Sequence, residues 1–190
     1  MLPEPIKNFI DKFSSLPSIG PRQATRLAFH IANKGRAEVY DLAKSLSDLQ
    51  SLKTCPECFF VNKGGCLICN DQNRRKDIVC LVEKETDLLS LEKAKKYNGV
   101  YLVLGELGKT GSLSPDQRLK LKSLRFKEPI EEIILAINPT AYGDLNAALL
   151  FQEIKPLTGK ITRLGRGIPT GGEIEFADED TLRGALDNRG

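Results

Sequence analysis

The sequence predicts an α+β protein built in several parts: an N-terminal helical hairpin unit, a small four-cysteine finger, an α/β domain on a mainly parallel sheet, and a C-terminal extension. Three observations carry this reading. Apolar residues recur at helical spacing up to about Leu52. Four cysteines then form two CxxC pairs with seven residues between them. Beyond residue 77, short apolar runs alternate with helical stretches, as in parallel strands joined by crossover helices. At 190 residues, 41% hydrophobic and 28% charged, the chain is long enough to bury a core and to divide into two or three units.

Taken in order, Ile6, Phe9, Ile10 and Phe13 define one amphipathic helix, and Ala24, Leu27, Ala28 and Ile31 define a second. A third places Val39, Leu42, Leu46 and Leu49 on one face, so residues 1–54 read as a helical unit. The cysteine segment occupies 55–70. The α/β domain, 78–172, begins with the run IVCLV (78–82) and a helix that Thr86 can cap. The strand GVYLVLG (99–105) comes next, then a helix opened by Ser114 and Pro115, and the strand EEIILAI (131–137). A helix from about Gly143 and the strand KITRL (160–164) complete it. In the tail, 173–190, Thr181 can cap a short helix.

Charge is informative mainly through its distribution. The formal net charge is +3, but residues 1–77 hold 12 Lys and Arg against 8 Asp and Glu, while 78–190 hold 16 against 17. A phosphate-facing surface is therefore expected in the N-terminal part. No apolar run approaches the ~20 residues needed to span a bilayer, and the N-terminus lacks the pattern of a signal peptide. The expected location is the cytoplasm, associated with the nucleoid if DNA is bound, with no membrane partner.

Cys55, Cys58, Cys66 and Cys69 are the strongest local signal. Two CxxC pairs present four soft thiolates to one tetrahedral ion, which suits zinc and closes its coordination shell, so one structural zinc per chain is expected. An iron–sulfur cluster is the other thiolate option, and unligated or redox-active cysteines a third. Cys80, inside an apolar strand, reads as an inert buried thiol.

Leu16-Pro17-Ser18-Ile19-Gly20-Pro21-Arg22 lies between the first two helices. A tight turn whose amides face outward, followed by a helix N-terminus, can hold a DNA phosphate without reading sequence. The segment resembles the helix-hairpin-helix turn LPGIG, with Ser18 in place of its first glycine. Gly20, Arg22 and Arg26 are the candidate DNA-binding residues, the two arginines one turn apart. The alternative is an ordinary helical hairpin with a solvated basic face. His30, the only histidine, sits beside Phe29 near the apolar face and is expected to be structural.

Glu83 ends the first α/β strand, and Asn138-Pro139-Thr140-Ala141-Tyr142-Gly143-Asp144 follows a later one. This layout resembles the Toprim fold, in which a strand-end glutamate and a DxD motif hold magnesium. Here the DxD positions read Asn138 and Thr140, which are neutral, so Glu83 and Asp144 are left as a weak acidic remnant and catalysis is not expected. The glycine-rich stretch 162–179 lacks the ending of a P-loop, and its Arg163 and Arg166 are placed to face DNA or an acidic neighbour, the alternative being a mobile surface loop or an oligomer contact.

The hairpin, the C4 zinc finger, the degenerate Toprim-like domain and the ending TGGEIEFADEDTL resemble the RecR family of bacterial recombination mediators along the whole chain. RLAFH (26–30), CLVE (80–83), NPT (138–140) and ADEDTL (177–182) carry the resemblance, while Ser18 and Tyr142 depart from it. It implies a DNA repair and recombination protein that is not an enzyme. It also implies a homo-oligomer, a tetramer or a dimer that assembles into one, clamped on gapped, single- or double-stranded DNA. Partnership with RecO and RecF in loading RecA at gaps is implied too. Two rivals stand beside it: an active Toprim nuclease or primase-like enzyme, and a pure protein-interaction adaptor.

Overall fold

A computed structural model describes residues 2–126, 129–187 and 189, with the Phe126 side chain outside the description. The chain forms two compact units, Met1–Leu52 and Lys53–Gly190.

The first unit holds α1 (Glu4–Phe13), α2 (Pro21–Ala32) and α3 (Arg36–Asp48), with a 3-10 turn at Leu49–Ser51. Phe9 and Phe13 stack one turn apart, with ring centroids 3.8 Å from each other. Among the described residues of this unit, Ala24 and Ala28 are the buried ones. The predicted apolar face of α3 exists but is uncovered: Val39, Leu42, Leu46 and Leu49 are all exposed, Leu49 by 58%. His30 is likewise exposed on α2.

The second unit opens with a two-stranded antiparallel ribbon, β1 (Lys53–Thr54) and β2 (Val61–Asn62), which carries the cysteines. Next come β3 (Arg75–Val82), α4 (Glu85–Lys93), β4 (Gly99–Val103), α5 (Pro115–Ser123), β5 (Glu132–Ala136), α6 (Ala141–Ile154), β6 (Lys160–Arg163) and α7 (Glu179–Asp187). The four longer strands form one parallel sheet in the order β4-β3-β5-β6. Both of its faces are covered, which is why its strands read as unbroken apolar runs. Val79, Leu81, Val100, Leu102, Ile133 and Leu135 meet Leu121, Ala147, Leu150 and Ile154 from α5 and α6. The alternate residues Cys80, Val82, Tyr101, Val103 and Ala136 meet Leu88 of α4 and the cysteines of the finger. The finger is thus a structural layer of the sheet and shares its core.

Helix starts differ from the sequence expectation by one to three residues, each because another side chain accepts the orphan amides. Helix α4 begins before Thr86, and the Asp87 carboxylate accepts the Lys84 amide at 3.0 Å. Helix α6 begins at Ala141, two residues before Gly143, because Thr140 Oγ1 accepts the Gly143 amide at 3.1 Å. In the tail, Asp178 is the cap, accepting the Thr181 amide at 2.8 Å and its hydroxyl at 2.9 Å. Ser114 caps α5 as expected, in a reciprocal box with Gln117.

Among the described residues, Glu83, Gln117 and Asn146 are the buried polar side chains, and all three bind the loop that follows β4. Glu83 Oε2 accepts the Leu107 amide at 3.3 Å, Gln117 Nε2 donates to the Glu106 carbonyl at 3.0 Å, and Asn146 Nδ2 donates to the Gly108 carbonyl at 3.0 Å. The loop is held from β3, α5 and α6 together. Replacing Asn146 by Ala leaves the Gly108 carbonyl without its partner and is expected to cost about 1–3 kcal/mol in urea unfolding. A loss under about 0.5 kcal/mol, the range of ordinary surface changes, would remove Asn146 from the clamp.

Candidate metal centre and nucleic-acid interface

Cys55, Cys58, Cys66 and Cys69 converge from the two ends of the ribbon, all buried and none in a disulfide. Their sulfurs all lie within 4.8 Å of one another. Cys58 and Cys66 are 3.5 Å apart, and Cys55 and Cys69 are 3.9 Å apart. A thiolate tetrahedron with metal–sulfur bonds of ~2.3 Å has edges of roughly 3.8 Å, so the four positions fit such an ion. Local backbone geometry makes the convergence possible. Gly64 and Gly65, at φ 85° and 157°, turn the chain between the knuckles, and the Cys55 amide donates to the Phe60 carbonyl at 2.9 Å. The Cys58 thiol is drawn down to about 5, chiefly because it accepts a hydrogen bond from Cys69, while burial pushes Cys66 up. Thiols packed this closely resist joint ionisation, and a bound cation is what lets all four be thiolates at once.

Two bonds join this cluster to the sheet. The Val103 amide donates to the Cys58 carbonyl at 2.8 Å, and Lys76 Nζ donates to the Cys69 carbonyl at 2.7 Å. Cys80 lies in the same buried cluster, and burial pushes its thiol up to about 12, in keeping with an inert role.

In the first unit, the turn between α1 and α2 closes with the Ile19 amide donating to the Leu16 carbonyl at 3.2 Å. Ser18 takes φ 63°, the left-handed conformation that a glycine would adopt freely. For a serine this costs roughly 1–2 kcal/mol. The turn is thus preserved despite the substitution. Gly20 precedes α2 with no side-chain cap, and a Cβ there would meet nothing within 4 Å, so the approach to the helix N-terminus is open. Among the described residues the Arg22 and Gln23 amides have no acceptor. Arg22 and Arg26 are exposed and border, with Gln23 and Thr25, an open depression of about 500 Å³. Uncapped amides next to two free guanidinium groups are suited to anions.

The acidic remnant is used structurally. Glu83 is buried and turned to the Leu107 amide. Asp144 Oδ1 accepts from Arg163 at 2.8 Å and from Arg166 at 2.6 Å, and these partners, Arg163 foremost, hold its carboxyl below the usual range. Arg163 at the end of β6 and Arg166 in the glycine-rich loop thus face an acidic neighbour. Asn138 and Thr140 supply no charge: the Thr140 hydroxyl caps α6, and the Asn138 carbonyl lies so near Gly143 that a Cβ there would overlap it at 1.9 Å. A cavity of about 730 Å³ opens beside Asp144, between the ends of β5 and β6 and the tail, and Glu83 is not among its lining residues. Among the described residues, the four cysteines are the one group of three or more side chains placed to share a metal ion.

Sequence reasoning missed the ion pair that ties the finger's exit to α4. Arg74 reaches Glu92 through both terminal nitrogens, at 2.9 and 2.5 Å, and Tyr101 donates its hydroxyl to the same carboxylate at 2.8 Å. Nothing in the local sequence pairs residues 74 and 92. No helix among the described residues is long and apolar enough to cross a membrane.

Comparison with known proteins agrees along the chain. A model described as the RecR helix-hairpin-helix matches residues 6–49, a Toprim domain model matches 77–165, and a RecR C-terminal model matches 167–189. Proteins called Recombination protein RecR from two strains of Clostridium perfringens are each 39% identical over 196 aligned positions, covering 98% of this chain and 96% of theirs.

Because the Asp144 carboxyl is lowered in the folded state, its contribution is present above the ordinary carboxylate range and is lost as pH falls through the folded value. Asp144→Asn should therefore be less stable than the parent near neutral pH, with the gap closing on acidification. It should also speed amide exchange at 163–167. A gap independent of pH would rule out the arginine pairs as its source.

Proposed function

The chain belongs to the RecR family, and from this we propose that it is a DNA-binding mediator of RecF-pathway recombinational repair, an oligomeric clamp that with RecO and RecF helps load RecA at single-stranded gaps. The observation that carries the reading is the hairpin at Ser18–Arg22, with its uncapped amides and the unpaired Arg22 and Arg26. Groups of this kind grip the sugar-phosphate backbone without reading bases, as a clamp that must act at any gap requires. In this reading, residues 1–54 are the DNA-binding unit and 78–172 the Toprim-like domain. Residues 173–190 are the tail, of which 188 and 190 lie outside the described residues.

The reading includes no chemistry at the Toprim-like domain. Its support is that the residues left of a metal site are neutral or already engaged: Asn138 and Thr140 carry no charge, Glu83 holds an amide, and Asp144 holds two guanidinium groups. The finger, 55–70, takes zinc, because four thiolates close the shell of a tetrahedral ion and leave no position for a substrate. Assembly with a second copy is supported by the first unit itself. A unit that buries two alanines among its described residues, while exposing Val39, Leu42 and Leu46 on α3 and Leu49 just after it, has an apolar face in need of cover.

Two experiments test these points. Binding of gapped duplex by the purified protein, with its mass in solution recorded, should fall steeply with salt, and Arg22→Ala with Arg26→Ala should flatten the log–log salt slope by about two while leaving the fold intact. An unchanged slope would take the hairpin out of DNA binding, and cleavage of the DNA in magnesium would favour the enzyme reading. For the finger, Cys55→Ala should lose about one equivalent of zinc per chain. It should also lower the melting temperature of the whole 53–190 unit, because the cysteines belong to the sheet's core. A zinc-free variant that melts like the parent would exclude a structural ion.

A further inference from the structure

We propose that the C-terminal tail is a detachable wall of the cavity beside Asp144, latched in its closed position by the Arg166–Asp144 pair. The cavity, about 730 Å³, lies past the carboxyl ends of β5 and β6, the end at which open parallel sheets admit ligands. Its other walls are α4, the turn between β5 and α6, and the end of β6, while the tail supplies Asp178, Asp180 and Thr181. The tail is held more lightly than those walls. Helix α7 has no buried side chain among its described residues, whereas α6 buries Asn146, Ala147, Leu150 and Ile154. Arg166 Nη2 donates to Asp144 Oδ1 at 2.6 Å, and with the two side chains 31% and 44% exposed the pair is a latch of modest strength. Gly184 rests on the same arginine: a Cβ there would lie 2.8 Å from the Arg166 Cβ and 3.2 Å from its carbonyl oxygen. A glycine in the middle of a helix is costly, and here its lack of a Cβ is what lets α7 close on Arg166. Gly165, Gly167 and Gly171, the last at φ 85°, lie in the connection between β6 and α7 and can absorb a hinge rotation. A segment with no buried side chain, joined through glycines and fixed by a half-exposed ion pair, opens locally at a free energy well below that of global unfolding.

Amide exchange of the full-length protein near neutral pH, read over 179–187 with 150–154 of α6 as internal reference, tests the latch. Asp144→Asn should speed exchange at 179–187 about fivefold, the range open to an ion pair of this exposure, while 150–154 keep the parent rate. Arg163→Ala removes the second arginine from Asp144 but leaves Arg166 in place, so 179–187 should stay at the parent rate. Gly184→Ala supplies the sign. Alanine favours a free helix and would slow its exchange, but it displaces a helix seated on Arg166, so faster exchange is expected. Slower or parent-like exchange in Gly184→Ala, or a parent rate at 179–187 in Asp144→Asn, would overturn the latch, as would an equal acceleration in Arg163→Ala. Parent rates at 179–187 that fall as protein concentration rises would assign the tail to a second copy and overturn it as well.

Discussion

Four thiols held within 4.8 Å of one another can all ionise only around a cation, and much of the larger unit is arranged about that constraint. The cluster packs on the face of the sheet opposite α5 and α6, where Cys80, Val82, Tyr101 and Val103 would otherwise face water. A parallel sheet needs both faces covered, and α4 alone supplies only Leu88 as a fully buried contact on this side. The finger completes the layer. The bond from the Val103 amide to the Cys58 carbonyl also gives β4, the edge strand, a partner on its open side.

A second arrangement follows from the buried polar groups. Glu83, Gln117 and Asn146 come from three different elements and converge on one loop, Leu104 to Gly108. Such groups are costly when unsatisfied, so their joint use makes the loop an ordered part of the fold. Glu83 is the instructive case. Its place at the end of β3 resembles that of a metal-binding glutamate, but its carboxylate holds an amide. Asp144 is likewise committed to Arg163 and Arg166, which draws the glycine-rich loop onto the start of α6. Gly184 of α7 then packs so closely on Arg166 that a Cβ would lie 2.8 Å from that side chain's own, which seats the tail against the same loop.

The first unit follows a different physics. Its helices have strong apolar stripes but little to bury them against, and among the described residues Ala24 and Ala28 are the ones buried. Its turn, by contrast, is well formed locally, through the Leu16 carbonyl and the left-handed Ser18, and leaves amides and arginines open on one side. Local order at the hairpin and exposed apolar surface on α3 thus lie within one unit.

Much of this was legible in the chain itself. Period-3.6 and continuous apolar runs mark the helices and the buried strands because side-chain direction is set by the backbone repeat. The two CxxC pairs mark the ligand set because the spacing of two residues turns both thiols of a pair to one side, and the neutral Asn138 and Thr140 show that a charge is missing whatever the fold does. What the chain could not reveal are relations between distant residues. The placing of the finger as a layer of the sheet, the pairing of Arg74 with Glu92, the commitment of Glu83 to Leu107 and of Asp144 to two arginines, and the exposure of α3 all depend on which surfaces meet. Periodicity specifies the face an element will bury, but the partner for that face is chosen by packing and by the need to satisfy each buried polar group, and those are properties of the assembled structure alone.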